Sequence, residues 1–121
     1  MNAKKTLLYV DDEAINLMLF EINFKEKFNV LTCDSGFKGL KILENSPDVS
    51  IVISDMKMPG MNGIEFITDA KIKFPHIVFY ILTGYEITDQ ISSALENKLI
   101  KAFFRKPFDI AEIESVINDT L

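Results

Sequence analysis

Asp55 carries a carboxylate directly after a short, mostly apolar run that begins at Ile51. A turn predicted at Pro59 and Gly60 follows it. Short continuous apolar runs bounded by turn residues are typical of buried parallel strands. We therefore expect Asp55 at the carboxyl end of a strand, the edge at which open α/β sheets bind ligands. The alternative is that Asp55 only caps the next helix, although Pro59 and Gly60 intervene and Asn62 is the better cap candidate. This stretch alone leaves both roles open.

Other polar side chains also follow predicted strands. The first strand ends in Asp11 and Asp12, the fourth in Thr83 and the fifth in Lys106. The carboxyl ends of parallel strands share one edge of a sheet, and in the strand order 2-1-3-4-5 the first and third strands are neighbours. We therefore expect Asp11, Asp12 and Asp55 to share one small pocket, and Asp12 could in addition cap the first helix.

These residue types predict phosphoryl chemistry. Three close carboxylates raise one another's pKa unless a cation lies among them, and Lys106 can supply one positive charge. The remaining charge on hard oxygen ligands suits Mg²⁺, whereas zinc would need a His or Cys cluster that the chain does not contain. Thr83 and Lys106 would complete a cradle for phosphoryl oxygens. Because a carboxylate can itself be a nucleophile, the pattern indicates acyl-phosphate chemistry at Asp55.

Five repeats of a strand followed by a helix must position this edge. Predicted strands occupy residues 6–10, 29–33, 49–54, 77–82 and 102–104. The first two helices are predicted at 14–28 and 36–45, the third between Asn62 and Pro75, the fourth around Ile87 and Ile91, and the last after Asp109. Such alternation predicts an α/β fold of the flavodoxin-like doubly wound (βα)5 type, with a five-stranded parallel sheet of order 2-1-3-4-5.

The apolar faces of the first two helices are predicted from spacings of three and four residues. In the first helix, Ile15, Met18, Leu19 and Ile22 form one stripe, which Leu17, Phe20 and Phe24 widen beyond a single core-facing surface. This width indicates either a docking surface that includes Phe20 or a helix wedged deeply between its neighbours. In the second helix we expect burial through Phe37, Leu40 and Leu43.

Composition restricts the class of protein. We expect the 121 residues to form one domain over 1–121, with no output domain in this chain. No apolar run approaches the roughly 20 residues of a membrane span, and because the N-terminus passes directly into the first strand we expect no signal peptide. One cysteine, Cys33, is consistent with a reducing cytoplasm. The net charge of -5, without a basic cluster, argues against direct binding to nucleic acid or acidic membranes.

Four segments, in this order and spacing, resemble the response-regulator receiver domains of two-component signalling. They are Val10-Asp11-Asp12-Glu13, the stretch from Asp55 to Gly63, Leu82-Thr83-Gly84 and Lys106-Pro107-Phe108. The resemblance covers essentially the whole chain. It implies a phosphorylation-dependent switch that accepts its phosphoryl group from a histidine kinase or a phosphotransfer protein.

The resemblance also implies residue roles at the site. Asp55 is the phosphoacceptor, Asp12 ligates Mg²⁺ directly, and Asp11 acts mainly through a metal-bound water. The backbone carbonyl of Lys57 is a further ligand. Lys106 pairs with Asp55 or its phosphate, and the bond between Lys106 and the following proline is expected to be cis.

Further implied roles concern the switch and its lifetime. Thr83 hydrogen-bonds the phosphoryl group, and Phe103 moves inward as Thr83 shifts. The readout surface is the fourth helix, fifth strand and fifth helix, which is also where a homodimer would form. Lys57 and Tyr85 occupy positions that tune hydrolysis, and we hypothesise that a long cation and a bulky ring there slow the loss of phosphate.

Other functions fit the residues less well. A Mg²⁺-dependent aspartyl-phosphate hydrolase of the haloacid dehalogenase type needs Asp-x-Asp-x-Thr after its first strand, which Asp11 to Ala14 does not match, and a substrate cap. A flavodoxin-like electron carrier needs a phosphate loop where this chain has carboxylates. We therefore expect a signalling receiver rather than an enzyme, either free-standing or part of a larger hybrid kinase or multidomain regulator.

Overall fold

The computed structural model describes residues 4–84 and 86–120, which form five strands alternating with five helices. In chain order these are β1 (Lys5–Val10), α1 (Ala14–Phe24), β2 (Phe28–Cys33), α2 (Gly36–Asn45), β3 (Val49–Asp55), α3 (Gly63–Lys73), β4 (Val78–Thr83), α4 (Asp89–Glu96), β5 (Ala102–Arg105) and α5 (Ile110–Thr120). The strands are all parallel in the order β2-β1-β3-β4-β5, which confirms the predicted flavodoxin-like topology. Within the described residues no helix has the length and apolar character needed to cross a bilayer.

The sheet separates two apolar clusters because successive strand residues point to opposite faces. One cluster contains Leu8 and Val52 together with buried residues of α2, α3 and α4. The other contains Leu7 and Ile51 together with buried residues of α1 and α5. Burial on both faces holds the central strands β1 and β3 side by side, so their carboxyl ends are fixed relative to each other.

The start of α3 is fixed against the end of β3. As predicted, Asn62 caps α3: its Oδ1 accepts a hydrogen bond from the Glu65 backbone N–H at 2.9 Å, and Glu65 Oε1 accepts one from the Asn62 N–H at 2.9 Å. Gly63 follows, and a Cβ there would overlap the backbone carbonyl oxygen of Asp55. Only glycine therefore lets the helix approach the strand end this closely.

Helix α1 is shorter than predicted and has a different cap. It ends at Phe24 rather than at residue 28, because Phe28 begins β2, pairs with Lys5 and is buried. Its N-cap residue is Glu13, without a side-chain capping bond, so the predicted capping role of Asp12 is wrong.

The inward face of α1 is also the reverse of the predicted one. Phe20 and Phe24 are fully buried and Leu17 packs against the same cluster. The residues predicted to face the core are 64, 54, 43 and 55% exposed: Ile15, Met18, Leu19 and Ile22. The Phe20 ring stacks on Tyr9 of β1 at 4.2 Å between centroids. A hypothesis that placed Phe20 on a docking surface is therefore wrong.

Two smaller predictions also fail. Phe37 of α2 is 58% exposed, because the buried side of this helix consists of glycines and Leu43, and a Cβ at Gly39 would lie 2.9 Å from the Phe66 ring. Ile87 lies before α4, which begins only after its cap residue Thr88.

Candidate functional site

Three aspartates meet at the carboxyl edge of the sheet. Asp11 directly follows β1, Asp55 is the last residue of β3, and Asp12 lies beside them; one carboxylate oxygen of each lies within 4.8 Å of the others. Asp11 is fully buried and Asp55 is 4% exposed, whereas Asp12 is exposed. Asp12 and Asp55 line a pocket of about 660 Å³, and its other lining residues are Glu13, Lys57, Met58, Pro59, Gly84 and Lys106. The expected cluster of three carboxylates is present, although the buried Asp11 is not among the residues that line the pocket.

Lys106 supplies the positive charge. Its Nζ lies 3.2 Å from Asp11 Oδ2 and 3.3 Å from Asp55 Oδ1, so one ammonium bridges two carboxylates. Its backbone N–H donates to the Thr83 carbonyl at 2.8 Å, which ties the end of β5 to the end of β4. The peptide bond between Lys106 and Pro107 is cis, as expected.

The electrostatics of the cluster are unbalanced. Burial raises the pKa of Asp55 to about 6; the charge of Lys106 opposes this rise, and the charge of Asp11 adds to it. Burial also opposes protonation of Lys106, but Asp55 and Asp11 together raise the pKa of its ammonium above the ordinary value. One lysine thus does not offset the carboxylates, and a cation among them would favour ionised Asp55.

The donor set fits Mg²⁺. The cluster offers only carboxylate oxygens, which are the hard ligands that Mg²⁺ takes in proteins, usually one or two carboxylates with waters or phosphate completing the octahedron. The exposed edge at Asp12 leaves room for such waters. The structure brings the predicted ligands Asp11, Asp12 and Asp55 together. Lys57, whose backbone carbonyl is the fourth predicted ligand, lines the same pocket as Asp12 and Asp55.

Asp11 has hydrogen-bond partners that the sequence analysis missed. Its Oδ2 accepts from the Tyr9 hydroxyl at 2.6 Å and from Asn16 Nδ2 at 3.2 Å, and its Oδ1 accepts from the Glu13 N–H at 2.9 Å. A signal for Tyr9 was available, because residues two apart in a strand share a face and a buried tyrosine usually finds a partner for its hydroxyl.

The two residues assigned to the switch, Thr83 and Phe103, are not among those that line the carboxylate pocket. Thr83 is buried at the end of β4 and lines a neighbouring pocket of about 280 Å³, together with Lys57 and Ile91. Phe103 in β5 is half-buried against the apolar cluster that includes Ile91. Tyr85 lies outside the described residues.

The doubly wound parallel sheet with an acidic pocket at its switch point defines a receiver-type α/β protein. The family model described as response regulator receiver domain matches residues 7–118, and the chain belongs to this family. The family is a phosphorylation-dependent signalling module rather than a classical enzyme.

Similar proteins fall into two size classes. The chain is 36% identical to sporulation initiation phosphotransferase F of Bacillus subtilis, covering 100% of this chain and 95% of that protein. It is 31% identical to the hydrogenase transcriptional regulatory protein HoxA of Cupriavidus necator, covering 85% of this chain but only 21% of that protein. A response regulator receiver domain structure from Clostridium thermocellum matches with a TM-score of 0.87 at 29% identity, covering 94% of this chain and 91% of that one.

Proposed function

We propose that this domain is a cytoplasmic switch that accepts a phosphoryl group on Asp55 from the phosphohistidine of a sensor kinase or phosphotransfer protein. The observation that carries the proposal is the position of Asp55. It ends β3 almost fully buried, with a carboxylate oxygen within 4.8 Å of those of Asp11 and Asp12 and with Oδ1 3.3 Å from the Lys106 ammonium. A carboxylate oxygen attacks phosphorus, the P–N bond of the phosphohistidine breaks, and its electron pair returns to the imidazole.

The neighbouring residues support this transfer. Asp12, Asp55 and the Lys57 carbonyl would hold Mg²⁺, with Asp11 acting through a water. Bound there, the ion would neutralise charge on the phosphoryl oxygens. Lys106 already contacts Asp55 and would follow the charge onto the phosphate.

Intact mass after incubation with Mg²⁺ and acetyl phosphate tests the acceptor. The parent should gain one phosphoryl group, and Asp55→Asn should gain none while keeping its fold by circular dichroism. Phosphorylation of Asp55→Asn to the parent level would contradict the assignment. So would a parent that gains nothing from acetyl phosphate and nothing from a panel of phosphorylated histidine proteins.

We further propose that Thr83 and Phe103 transmit the change. Movement of the Thr83 hydroxyl toward the phosphate would alter the neighbouring pocket, and Phe103 packs on the apolar cluster that borders it. Phosphorylation then shifts a two-state equilibrium read at the face of α4, β5 and α5. Thr83→Ala should still be phosphorylated but should lose the amide chemical-shift changes that NMR detects on this face.

The same face is our proposed homodimer surface. Leu95 of α4 and Ile110 of α5 are each more than one-third exposed there. Light scattering with and without phosphorylation tests it: dimerisation that Leu95→Glu abolishes would support the proposal, and a monomer in both states would contradict it.

The exposed stripe of α1, comprising Ile15, Met18, Leu19 and Ile22, is our proposed docking surface for the phosphodonor protein. Contiguous apolar surface of this kind marks interaction sites in soluble domains. Leu19 also lines a pocket of about 490 Å³ that reaches Lys106 and Phe108, so the stripe is continuous with the candidate site.

Two phosphodonors separate docking from chemistry. Leu19→Ala should slow transfer from a phosphorylated histidine protein but not from acetyl phosphate, which needs no docking surface. Ile72→Ala is the matched control, because Ile72 is 77% exposed but lies on α3. Equal rates for Leu19→Ala and the parent with the protein donor would contradict the proposal.

A further inference from the structure

The carboxylate of Asp11 is held by more donors than its charge pairing requires. Its Oδ2 accepts hydrogen bonds from the Tyr9 hydroxyl at 2.6 Å, from Asn16 Nδ2 at 3.2 Å and from Lys106 Nζ at 3.2 Å. The backbone N–H of Glu13 donates to Oδ1 at 2.9 Å. The bond from Tyr9 is the shortest of the four and comes from a neutral side chain.

Tyr9 is itself rigidly placed. It lies in β1, is fully buried, and its ring stacks on Phe20 at 4.2 Å with 15° between the planes. Phe20 in turn stacks on Phe24 at 4.4 Å. A hydroxyl carried on such a stack stays at a fixed position relative to the end of its strand, which is where Asp11 lies.

The hydroxyl is also a constant donor. A phenol is neutral and ordinarily keeps its proton at physiological pH, and the Tyr9 hydroxyl donates to Asp11 Oδ2. Lys106 differs in this respect, because its ammonium is shared between Asp11 and Asp55. If Lys106 follows the charge onto a phosphate, Asp11 loses that contact but keeps Tyr9.

We propose that Tyr9 is a positioning residue of the metal site, which holds the Asp11 carboxylate in the orientation that serves Mg²⁺ and does so independently of Lys106. The proposal rests on the proposed function only in taking Mg²⁺ to bind among Asp11, Asp12 and Asp55. Hydrogen-bond partners of ligating groups commonly account for about 10–100-fold in metal affinity.

Tyr9→Phe is the direct test, because it keeps the stacked ring and removes one oxygen. A Mg²⁺ titration followed by ¹H–¹⁵N NMR, without any phosphodonor, should give a dissociation constant about tenfold higher than that of the parent. Tyr80→Phe is the matched control and should leave the constant unchanged. This substitution removes a buried phenolic hydroxyl from β4, which lies two strands away from β1 in the sheet. It keeps the ring, which stacks on Phe104 at 5.5 Å between centroids.

Lys106→Met provides a second test, in which we do not expect weaker binding of Mg²⁺. Loss of the ammonium removes a cation that repels Mg²⁺ while Tyr9 still orients Asp11, so the dissociation constant should fall or stay equal. This arm stands even if Tyr9→Phe does not fold, and urea unfolding in EDTA reports the fold of each variant.

Three results would overturn the proposal. If the parent binds Mg²⁺ and Tyr9→Phe has the same or a lower dissociation constant, Tyr9 has only a structural role. Weaker binding by Lys106→Met would show that Lys106 orients Asp11. A parent that binds no Mg²⁺ would refute the metal site of the proposed function as well.

Discussion

Replacing Asp55 by asparagine should stabilise the metal-free domain at neutral pH. Burial raises the pKa of this carboxyl to about 6 in the folded state, against about 4 in an unfolded chain. Between these values the folded state binds more protons than the unfolded state. The free energy of unfolding of the parent therefore falls as pH rises through this window, and the loss is complete above the folded-state pKa. Asparagine cannot ionise and avoids the loss.

The size of the effect follows from the width of that window. A shift of about two pKa units corresponds to roughly 3 kcal/mol, since each unit is about 1.4 kcal/mol. A small part is already lost at about pH 4, so the difference between the variant and the parent should grow by about 2 kcal/mol between about pH 4 and about pH 7.5. In the parent, burial opposes protonation of Lys106, but Asp55 and Asp11 raise the pKa of its ammonium above the ordinary value, so its contact with Asp55 adds to the offset between the two proteins.

Urea unfolding of both proteins in EDTA, followed by circular dichroism across this pH range, measures the difference directly. Titrating groups away from the pocket are common to both proteins and cancel in the comparison, whereas Asp11 and Lys106 interact with residue 55 and contribute to the measured difference. A difference that stays constant, or shrinks as pH rises, would refute the assignment of an uncompensated carboxylate at this position. Added Mg²⁺ should reduce the disadvantage of the parent, because a cation in the pocket favours the ionised form.

Two further predictions concern the lifetime of the phosphate and two glycines near the strand ends. Lys57→Ala and Tyr85→Ala should each shorten the half-life of phosphorylated Asp55, measured by intact mass over time, if these side chains obstruct the attacking water; unchanged half-lives in both would contradict the slow-hydrolysis hypothesis. Gly63→Ala should destabilise by about 1–3 kcal/mol, because the new Cβ overlaps the Asp55 carbonyl. Gly84→Ala, whose Cβ would lie 3.6 Å from Lys106, should change stability by under about 0.5 kcal/mol in the same denaturation assay.

The polar edge of the sheet could be predicted because local signals mark it. β1 and β3 are apolar runs that stop at or just before a carboxylate, and parallel topology places such ends on one edge. Asn62 was predictable as a cap for a similar reason, since the capping box involves only residues Asn62 to Glu65. At the ends of β1 and β3 and at the Asn62 cap, the local signal is therefore confirmed by the structure.

Element ends and side-chain partners required information that local patterns lack. Phe28 continues the apolar pattern of α1, but pairing with β1 draws it into β2. The bond between Tyr9 and Asp11 was missed because an apolar strand pattern treats tyrosine as one more hydrophobic residue, although its hydroxyl ends 2.6 Å from a carboxylate oxygen. In both places a contact with another part of the molecule decides the outcome.

The orientation of α1 shows the limit of periodicity most clearly. Both of its apolar sets recur at spacings of three and four, so the pattern identifies two faces without choosing between them. Size decides, because aromatic rings bury more area and Phe20 can reach the Tyr9 ring. The aliphatic residues of the other face are exposed to solvent and do not contribute to the core. Polar residues at Met18 or Ile22 would therefore be compatible with the same fold. An apolar stripe that folding does not require, next to a pocket that reaches Lys106, is most simply explained by binding, which is what the two-donor experiment measures.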